Sequence, residues 1–474
     1  MTLTVLRRRE DVDLPARLAD SAEARDGVQL TVGEFDAWFA GRQQANNFQV
    51  TRIPFSELDG WSFSQDTGNL GHRSGRFFSV EGLRVLSWAG PVREWHQPII
   101  NQPEVGILGI LVKEFDGVLH CLMQAKMEPG NPNLLQLSPT VQATRSNYTR
   151  VHNGAAVRYL EYFVGPSRGD IIADVLQSEH GSWFFRKKNR NMVVEVTDEV
   201  PLHDDFCWLT VGQINELMKR DNVINMDSRT VLSCMPPAKA RVHEYSNPFQ
   251  ISLAASRDRH AGALHTTAEV MSWFTTQRSL CELDISRMPL KEVPGWHTTE
   301  KEIARTDGKY FSVVAVAVKA GNREVTSWTQ PLFEPRGHGL VAFVLKNFGG
   351  VLHVLVNARM EGGFLDSVEL GPTLQCIPWN YDDYDGAERP FLLDYLQKID
   401  PARIRYEAVH SEEGGRFLNA ESRYLIVEAD DKLPYDIPDD YTWITLGQLT
   451  DLLRHGHYVN VQARTLVACI NAIS

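Results

Sequence analysis

The chain contains one long sequence twice. Residues 77–148 align without a gap to residues 310–381, and 26 of the 72 aligned pairs are identical. With a shift of two positions the match extends outward, so that Trp38 pairs with Trp273. Solenoid repeats are only about 20–50 residues long, far shorter than this period. The sequence therefore predicts two copies of one large domain.

Consecutive prolines mark the predicted boundary between the copies. Pro236 and Pro237 continue neither a helix nor a sheet ladder, and paired prolines stiffen a connection. We therefore predict a first domain at residues 1–235, a linker at residues 236–248 and a second domain at residues 249–474. Apolar residues make up 43% of the 474 residues, so each copy has enough of them for a core.

Each copy has the same order of local signals. Residues 31–34 and 266–269 have the spacing of a capping box, and an apolar helical stripe follows each of them. Strand-like segments come next, with Asp116-Gly117 and Gly349-Gly350 placed as hairpin turns. A further capped helix is predicted late in each copy. This order of a helix, several antiparallel strands and a helix favours an α+β domain over a doubly wound parallel sheet.

Charge and missing motifs exclude several function classes. The net charge is −12 and no basic face dominates, which argues against nucleic acid or an anionic membrane as the main partner. The six cysteines have no CxxC spacing, and the sequence has no secretory signal or run of about 20 apolar residues. We therefore expect a cytoplasmic protein with reduced thiols. Since GxGxxG, GxxxxGK[ST], HExxH and GxSxG are missing, we expect no cofactor and no catalytic metal.

The densest polar run lies in the first copy. On a strand, Ser138, Thr140 and Gln142 point to one side, as a row of hydrogen-bonding groups suited to a polyhydroxylated ligand. The alternative is a solvated strand face. Thr373 and Gln375 repeat the pattern in the second copy, which indicates either a site present twice or a turn and strand that the fold needs twice.

Acid–base candidates adjoin this run. Glu128 and its counterpart Glu361 follow an apolar strand, where a carboxylate is placed to act as a base. The alternative is an ion pair with the neighbouring Lys126 or Arg359. His152 has no histidine counterpart in the second copy, and a working site is where duplicated halves diverge; its alternative is a surface loop residue.

Other candidates have a simpler structural interpretation. His120 and His353 lie within apolar strands and are expected to be core histidines. Trp95, like the other repeated tryptophans, is expected either in the core or stacked on a base or sugar.

Two motifs resemble a known family. Ala125–Asn131 (AKMEPGN) and Leu137–Tyr148 (LSPTVQATRSNY), with LGPTLQ and WNY in the second copy, resemble the NDP-hexose 2,3-dehydratases of deoxysugar and antibiotic biosynthesis. The resemblance implies a tandem duplication of a Nudix-like mixed-sheet domain, a homodimer, and two nucleotide-sugar sites per subunit, one of them vestigial. The Nudix box itself is absent from both copies, which fits a fold reused without metal-dependent pyrophosphohydrolysis.

The resemblance also implies a substrate, dTDP-4-keto-6-deoxy-D-glucose. Its C4 ketone acidifies the C3 hydrogen, so a base takes that proton and a general acid helps the C2 hydroxyl to leave. Tautomerisation then gives a 3,4-diketo-2,6-dideoxy sugar, which passes to a 3-ketoreductase. This chemistry needs no redox cofactor, in agreement with the missing dinucleotide motif.

We expect the working site in the first copy, because the second copy loses an arginine, a serine and a histidine together. The catalytic candidates are Glu128, His152, Tyr148 and Tyr159. The substrate-binding candidates are Lys126, Ser138, Thr140, Gln142, Arg145, Asn147, Arg150 and Trp95, with the cations assigned to the diphosphate. The second, vestigial site would use Arg359, Glu361, Thr373, Gln375 and Tyr381.

Two other functions stay open at this point. A non-catalytic nucleotide-sugar binding or scaffold protein would hold the ligand without consuming it. A nucleotide-sugar epimerase would also begin from the C3 enolate, but it would keep the C2 oxygen.

Overall fold

The structure is a computed structural model. It describes residues 13–88, 92–144, 157–165, 168–238, 247–258, 262–321, 326–386, 389–434 and 436–473. Within these ranges no helix is both long and apolar enough to cross a membrane.

The first copy has helices at its two ends and strands between them. Its described helices are α1 (Leu14–Glu23), α2 (Val32–Ala45), α3 (Val211–Met218) and α4 (Met226–Ser233). Its described strands are β1 (Phe48–Ile53), β2 (Trp61–Phe63), β3 (Leu70–His72), β4 (Ser79–Ser87), β5 (Glu94–Asn101), β6 (Gly106–Phe115), β7 (Val118–Met127), β8 (Leu135–Ser138), β9 (Val141–Ala143), β10 (Asp170–Ser178), β11 (Lys188–Glu195) and β12 (Phe206–Thr210).

The second copy repeats this order. Its described helices are α5 (Pro248–Arg257), α6 (Thr267–Leu280), α7 (Leu393–Gln397), α8 (Leu446–Leu452) and α9 (Val461–Asn471). Its described strands are β13 (Leu283–Met288), β14 (Trp296–Thr298), β15 (Glu302–Arg305), β16 (Phe311–Ala320), β17 (Ser327–Pro335), β18 (Gly339–Phe348), β19 (Val351–Met360), β20 (Val368–Gly371), β21 (Leu374–Cys376), β22 (Ile404–Ser411), β23 (Glu421–Glu428) and β24 (Tyr441–Thr445).

Each copy contains a mixed seven-stranded sheet. In the first copy the strand order is β10-β11-β6-β7-β12, with β8 beside β7 and β9 beside β6, and only β11 and β6 run parallel among these pairs. The second copy has the same arrangement, with β18 and β23 as the parallel pair. The predicted tandem α+β fold with two similar halves is therefore confirmed, while its likeness to Nudix domains stays a prediction.

The local signals of the sequence are confirmed as well. Thr31 caps α2 by accepting from the Glu34 amide, and Thr266 caps α6 in the same way, each as a complete capping box. The predicted hairpin turns have positive φ, at 82° for Gly117 and 91° for Gly350, which glycine adopts without steric cost. His120 is a core histidine, since its Nε2 accepts from the Val28 amide at 3.1 Å.

The two copies exchange a strand. β1 of the first copy pairs with β16 of the second, from Phe48 opposite Ala320 to Ile53 opposite Ala315. In return, β13 of the second copy pairs with β4 of the first. Each of the two five-stranded sheets thus contains one strand from the other copy. The predicted division at residues 236–248 stays a prediction, and Pro248 within it begins α5.

The main core is shared by both copies. One cluster of buried apolar side chains runs from Leu18 and Phe35 in the first copy to Val341 and Ile470 in the second. A second cluster joins Trp61 to residues of the other half in the same way. Since the apolar surface is buried between the copies, neither copy completes its core alone.

Two fully buried arginines connect the copies at the contact between α4 and α9. Arg229 on α4 donates through Nη2 to the Ser411 carbonyl oxygen at 2.6 Å, at the end of β22. Arg464 on α9 reciprocates by donating to the Ser178 carbonyl oxygen, at the end of β10. Each guanidinium also binds a carbonyl of its own copy and a threonine hydroxyl of the other helix. Each arginine therefore fixes a loop of the opposite copy.

Glycines allow these loops to pass close to one another. The Gly130 amide donates to the Gly414 carbonyl oxygen at 2.7 Å, and the Gly363 amide donates to the Gly181 carbonyl oxygen at 2.8 Å. A Cβ atom on Gly130 would lie 1.7 Å from the Phe417 carbonyl oxygen. No side chain fits at that distance, so glycine is required there by the approach of the other copy.

We predict that Gly130→Ala lowers the free energy of unfolding by about 1–3 kcal/mol or more, because the added methyl group overpacks against backbone of the opposite copy. Urea denaturation followed by circular dichroism measures the change. The control is Gly41→Ala within α2, where a Cβ atom would have no neighbour within 4 Å. That change should raise stability by about 0.5–1 kcal/mol. Equal effects of the two substitutions would contradict the proposed close approach.

A second prediction concerns the arginines. Arg229→Met leaves buried carbonyl oxygens without their donor, at a cost of about 1–3 kcal/mol for each one. The same denaturation experiment should show a large loss for this variant. Arg423→Met, which removes an exposed ion pair with Glu407, should change stability by less than about 1 kcal/mol. A loss at Arg229 as small as that at Arg423 would show that the buried arginine does not connect the copies.

Candidate active site

A buried carboxylate lies at the end of β7 in the first copy. Glu128 is only 5% exposed, and its Oε1 lies 2.9 Å from Lys126 Nζ. The Gln142 side-chain amide on β9 donates to the same oxygen at 2.9 Å, and Ser138 donates to Gln142 Oε1 at 2.9 Å. The structure thus brings together four of the predicted site residues, which we call the first-repeat site.

The second copy has a similar arrangement, in which Gly371 replaces Ser138 and Asn460 donates to the Gln375 side-chain oxygen at 2.8 Å. Glu361 is 4% exposed, its Oε1 lies 2.7 Å from Arg359 Nε, and Gln375 donates to it at 3.2 Å. We call this the second-repeat site. The ion pairs that the sequence offered as an alternative are present in both copies. An adjacent cation and a catalytic carboxylate are compatible, because a general base works in its charged form.

The repeated threonines serve the fold. Thr140 accepts from the Leu111 amide at 2.8 Å and donates to the Leu122 carbonyl oxygen. Thr373 does the same between Val344 and Leu355. Their hydroxyls thus bridge neighbouring strands. The Pro-Thr-x-Gln pattern therefore combines a structural threonine with a glutamine that lies at the carboxylate.

Loops of the opposite copy complete each site. Residues 413–418, shortly after the arginine-bound Ser411, reach the first-repeat site, and residues 180–185 reach the second-repeat site. Arg416 from the first of these loops donates to the Gln102 side-chain oxygen at 3.0 Å. Each site is therefore assembled from both copies. The same is true of the five-stranded sheets, which contain β1 or β13 from the other copy.

The first-repeat site is rich in ionisable groups. Those described, besides Lys126 and Glu128, are Glu179, Lys187, Asp227, Glu413 and Arg416. Burial raises the pKa of Asp227 well above its ordinary value, and the carboxylates of Glu413, Glu179 and Glu128 raise it further. Burial likewise raises the pKa of Glu179 and of Glu413. Perturbed carboxyl groups of this kind are typical of active sites.

These residues were missed by the sequence analysis because they come from distant parts of the chain. A usable signal existed, since the aligned positions differ between the copies. Lys187 aligns with Ala420, Glu413 with His180, and Arg416 with Trp183. Asp227 likewise aligns with Gln462. These four residues are thus specific to the first-repeat site, whereas Glu179 aligns with Glu412, which lines the second-repeat site.

The second-repeat site opens into a cavity of about 460 Å³. Its wall is largely aromatic and polar, and the rings of His180 and Trp183 stack there at 4.3 Å between centroids. Its wall includes Trp95, His180, Trp183, Arg359, Gln375 and Tyr381. Trp95 was predicted as a substrate-binding residue of the first copy, but the structure places it at the site of the second copy. The physical reason is that Trp95 lies on β5, in the sheet that also contains β13 of the second copy.

The other predicted catalytic residues are separate from Glu128 or outside the described ranges. Tyr159 is buried in an apolar cluster with Phe206, and its hydroxyl donates to the Pro201 carbonyl oxygen at 2.6 Å. Burial raises the pKa of Tyr159. Five predicted site residues lie outside the described residues: Arg145, Asn147, Tyr148, Arg150 and His152.

Comparison with known proteins gives a consistent result for both halves. The sequence profile described as NDP-hexose 2,3-dehydratase matches residues 32–235 and again residues 267–470. A dTDP-4-dehydro-6-deoxy-alpha-D-glucopyranose 2,3-dehydratase of Amycolatopsis orientalis is 56% identical over 476 aligned positions, covering 99% of this chain and 97% of the relative. Enzymes of the same name from Saccharopolyspora spinosa and Streptomyces violaceoruber are 51% and 50% identical, covering 96% and 93% of this chain and 95% and 97% of the relatives.

Both copies therefore fall within one family profile, and the similarity to its members extends over nearly the whole chain. The shared segments include the buried carboxylates, the strands that hold them and the loops that cross between the copies. The chain belongs to the NDP-hexose 2,3-dehydratase family.

Proposed function

We propose that the chain is a hydro-lyase that converts dTDP-4-keto-6-deoxy-D-glucose to the 3,4-diketo-2,6-dideoxy sugar. The observation that carries this proposal is the identity of 50–56% to three enzymes of that name over nearly their full length. The first-repeat site supports it, since the reaction requires a base and an acid that face one sugar ring.

We propose that the reaction takes place at the first-repeat site. Glu128 removes the C3 proton, whose acidity comes from the adjacent C4 ketone. The enolate then expels the C2 hydroxyl, which an acid protonates. The concentration of carboxyl groups with raised pKa values at this site supports the assignment, since an acid must keep its proton until the leaving group accepts it.

The remaining predicted residues are assigned as follows. Ser138 and Gln142 adjoin the carboxylate and contact the sugar or its developing oxyanion. Lys126, Arg145 and Arg150 meet the diphosphate. His152 and Tyr148 are further proton carriers from the segment that follows Gln142. The second-repeat site binds a nucleotide sugar without turnover. We further propose that the protein is a cytoplasmic homodimer and passes its product to a 3-ketoreductase.

The first experiment follows the 4-keto sugar by mass spectrometry in heavy water. A dehydratase loses the mass of water and incorporates deuterium into the product. An epimerase exchanges the C3 hydrogen and keeps the C2 oxygen. A binding protein returns the sugar unchanged, and that result or the epimerase result would contradict the proposed function.

The second experiment compares the two sites. Glu128→Gln should lower kcat by about 10²–10⁴-fold, because the amide cannot accept the C3 proton. Glu361→Gln is the matched change in the other copy, at a carboxylate with the same contacts, and should lower kcat less than about tenfold. Diketo product is measured with a coupled 3-ketoreductase. If Glu361→Gln alone abolished turnover, the working site would be in the second copy.

A further inference from the structure

The first-repeat site receives one carboxylate from the opposite copy. Glu413 follows β22 of the second copy, two positions after Ser411. Its backbone is fixed on both sides, because Arg229 binds the Ser411 carbonyl oxygen and Gly130 binds the Gly414 carbonyl oxygen at 2.7 Å. The placement of this side chain therefore depends on contacts between the copies.

The Glu413 carboxyl group lies close to Glu128. A Cβ atom on Gly415 would lie 3.0 Å from Glu413 Oε1 and 4.0 Å from Glu128 Oε1. The two oxygens are therefore no more than 7.0 Å apart, the sum of these distances. Glycine at residue 415 leaves open a position that adjoins both carboxylates.

The two carboxyl groups have different surroundings. Glu128 accepts from Lys126 and Gln142, both of which are donors. Glu413 makes no side-chain hydrogen bond or ion pair with the described part of the chain. Burial raises the pKa of Glu413, the Arg416 guanidinium opposes this effect, and the Glu128 carboxylate adds to it. A pair of carboxyl groups with such different surroundings is the usual arrangement of a base and an acid.

We propose that Glu413 is the general acid that protonates the departing C2 hydroxyl, opposite Glu128 as the base. This assignment rests on the proposed dehydratase function and adds to it that the acid comes from the other copy of the domain.

The two carboxyl groups supply and recover all the protons that this step needs. Glu128 takes the C3 proton, and the electron pair of that bond forms an enolate with the C4 ketone. The enolate then restores the ketone as this pair forms the C2–C3 double bond and the C2–O bond breaks. Glu413 gives its proton to the leaving hydroxyl, which departs as water. In the tautomerisation, C2 receives a proton from Glu128 and the C3 enol hydroxyl returns one to Glu413, so both groups regain their starting states.

Glu179 and Asp227 are the other acids near Glu128. Glu179 Oε1 accepts from Asn189 at 2.7 Å, and Asn189 in turn accepts from the Gly106 amide, so this carboxylate is bound within the sheet. Asp227 lies in the first turn of α4 and comes from the same copy as Glu128, and burial raises its pKa as well. Asp227→Asn is therefore included in the test as the competing assignment.

Glu413→Gln tests the acid step separately from the base step. Water loss should fall by about 10²-fold or more, while the variant still exchanges the C3 hydrogen for deuterium and accumulates labelled substrate. Fluoride needs no proton to leave, so the 2-deoxy-2-fluoro analogue of the substrate should react within about tenfold of the wild-type rate. Glu413→Asp keeps a carboxyl group and should recover part of the water loss.

Two controls complete the experiment. Glu407→Gln, an exposed position on β22, should behave as the wild type. Glu128→Gln should lose deuterium exchange and fluoride release together. The proposal is overturned if Glu413→Gln loses water at the wild-type rate, if it loses exchange and fluoride release along with water loss, or if Asp227→Asn shows the acid pattern instead. A wild-type protein with neither exchange nor water loss would instead refute the dehydratase function itself.

Discussion

Two buried arginines, each bound to a carbonyl oxygen of the opposite copy, hold the two halves of the protein together. Arg229 and Arg464 place five-donor guanidinium groups where no water reaches them, and each binds backbone oxygens of both copies. A buried cation is costly unless its donors are satisfied, and here part of that satisfaction comes from the opposite copy. The loops that start at Ser178 and Ser411 are thereby held at the site of the other copy.

Duplication has produced two sites with one plan and different chemistry. In both, a glutamate at the end of a strand accepts from a basic side chain and a glutamine. The opposite loop then decides the character of the site. It supplies Glu413 and Arg416 to the first-repeat site, and His180 and Trp183 to the cavity of the second. The copies therefore differ as much in the loop that each contributes to the opposite site as in the residues of its own site.

The sequence predicts what depends on neighbours along the chain. Capping boxes and hairpin glycines are short-range patterns, and they form as predicted. Lys126, Glu128 and Gln142 are also near one another in sequence, and the structure brings them into contact. The strand exchange and the contribution of Glu413 depend on residues hundreds of positions apart, which no periodicity reports. Thr140 shows a different limit, because a hydroxyl that joins two strands has the same pattern as one that faces a ligand.

In the mechanism that we propose, the sugar reacts between carboxylates from the two copies. A crystal structure with dTDP-6-deoxy-D-glucose, which lacks the C4 ketone and cannot react, tests it most directly. We predict that the sugar lies at the first-repeat site with C3 towards Glu128 and its C2 oxygen about 2.6–3.2 Å from a Glu413 oxygen. A sugar bound only at the second-repeat site, or one whose C2 oxygen contacts residues of the first copy alone, would contradict this mechanism.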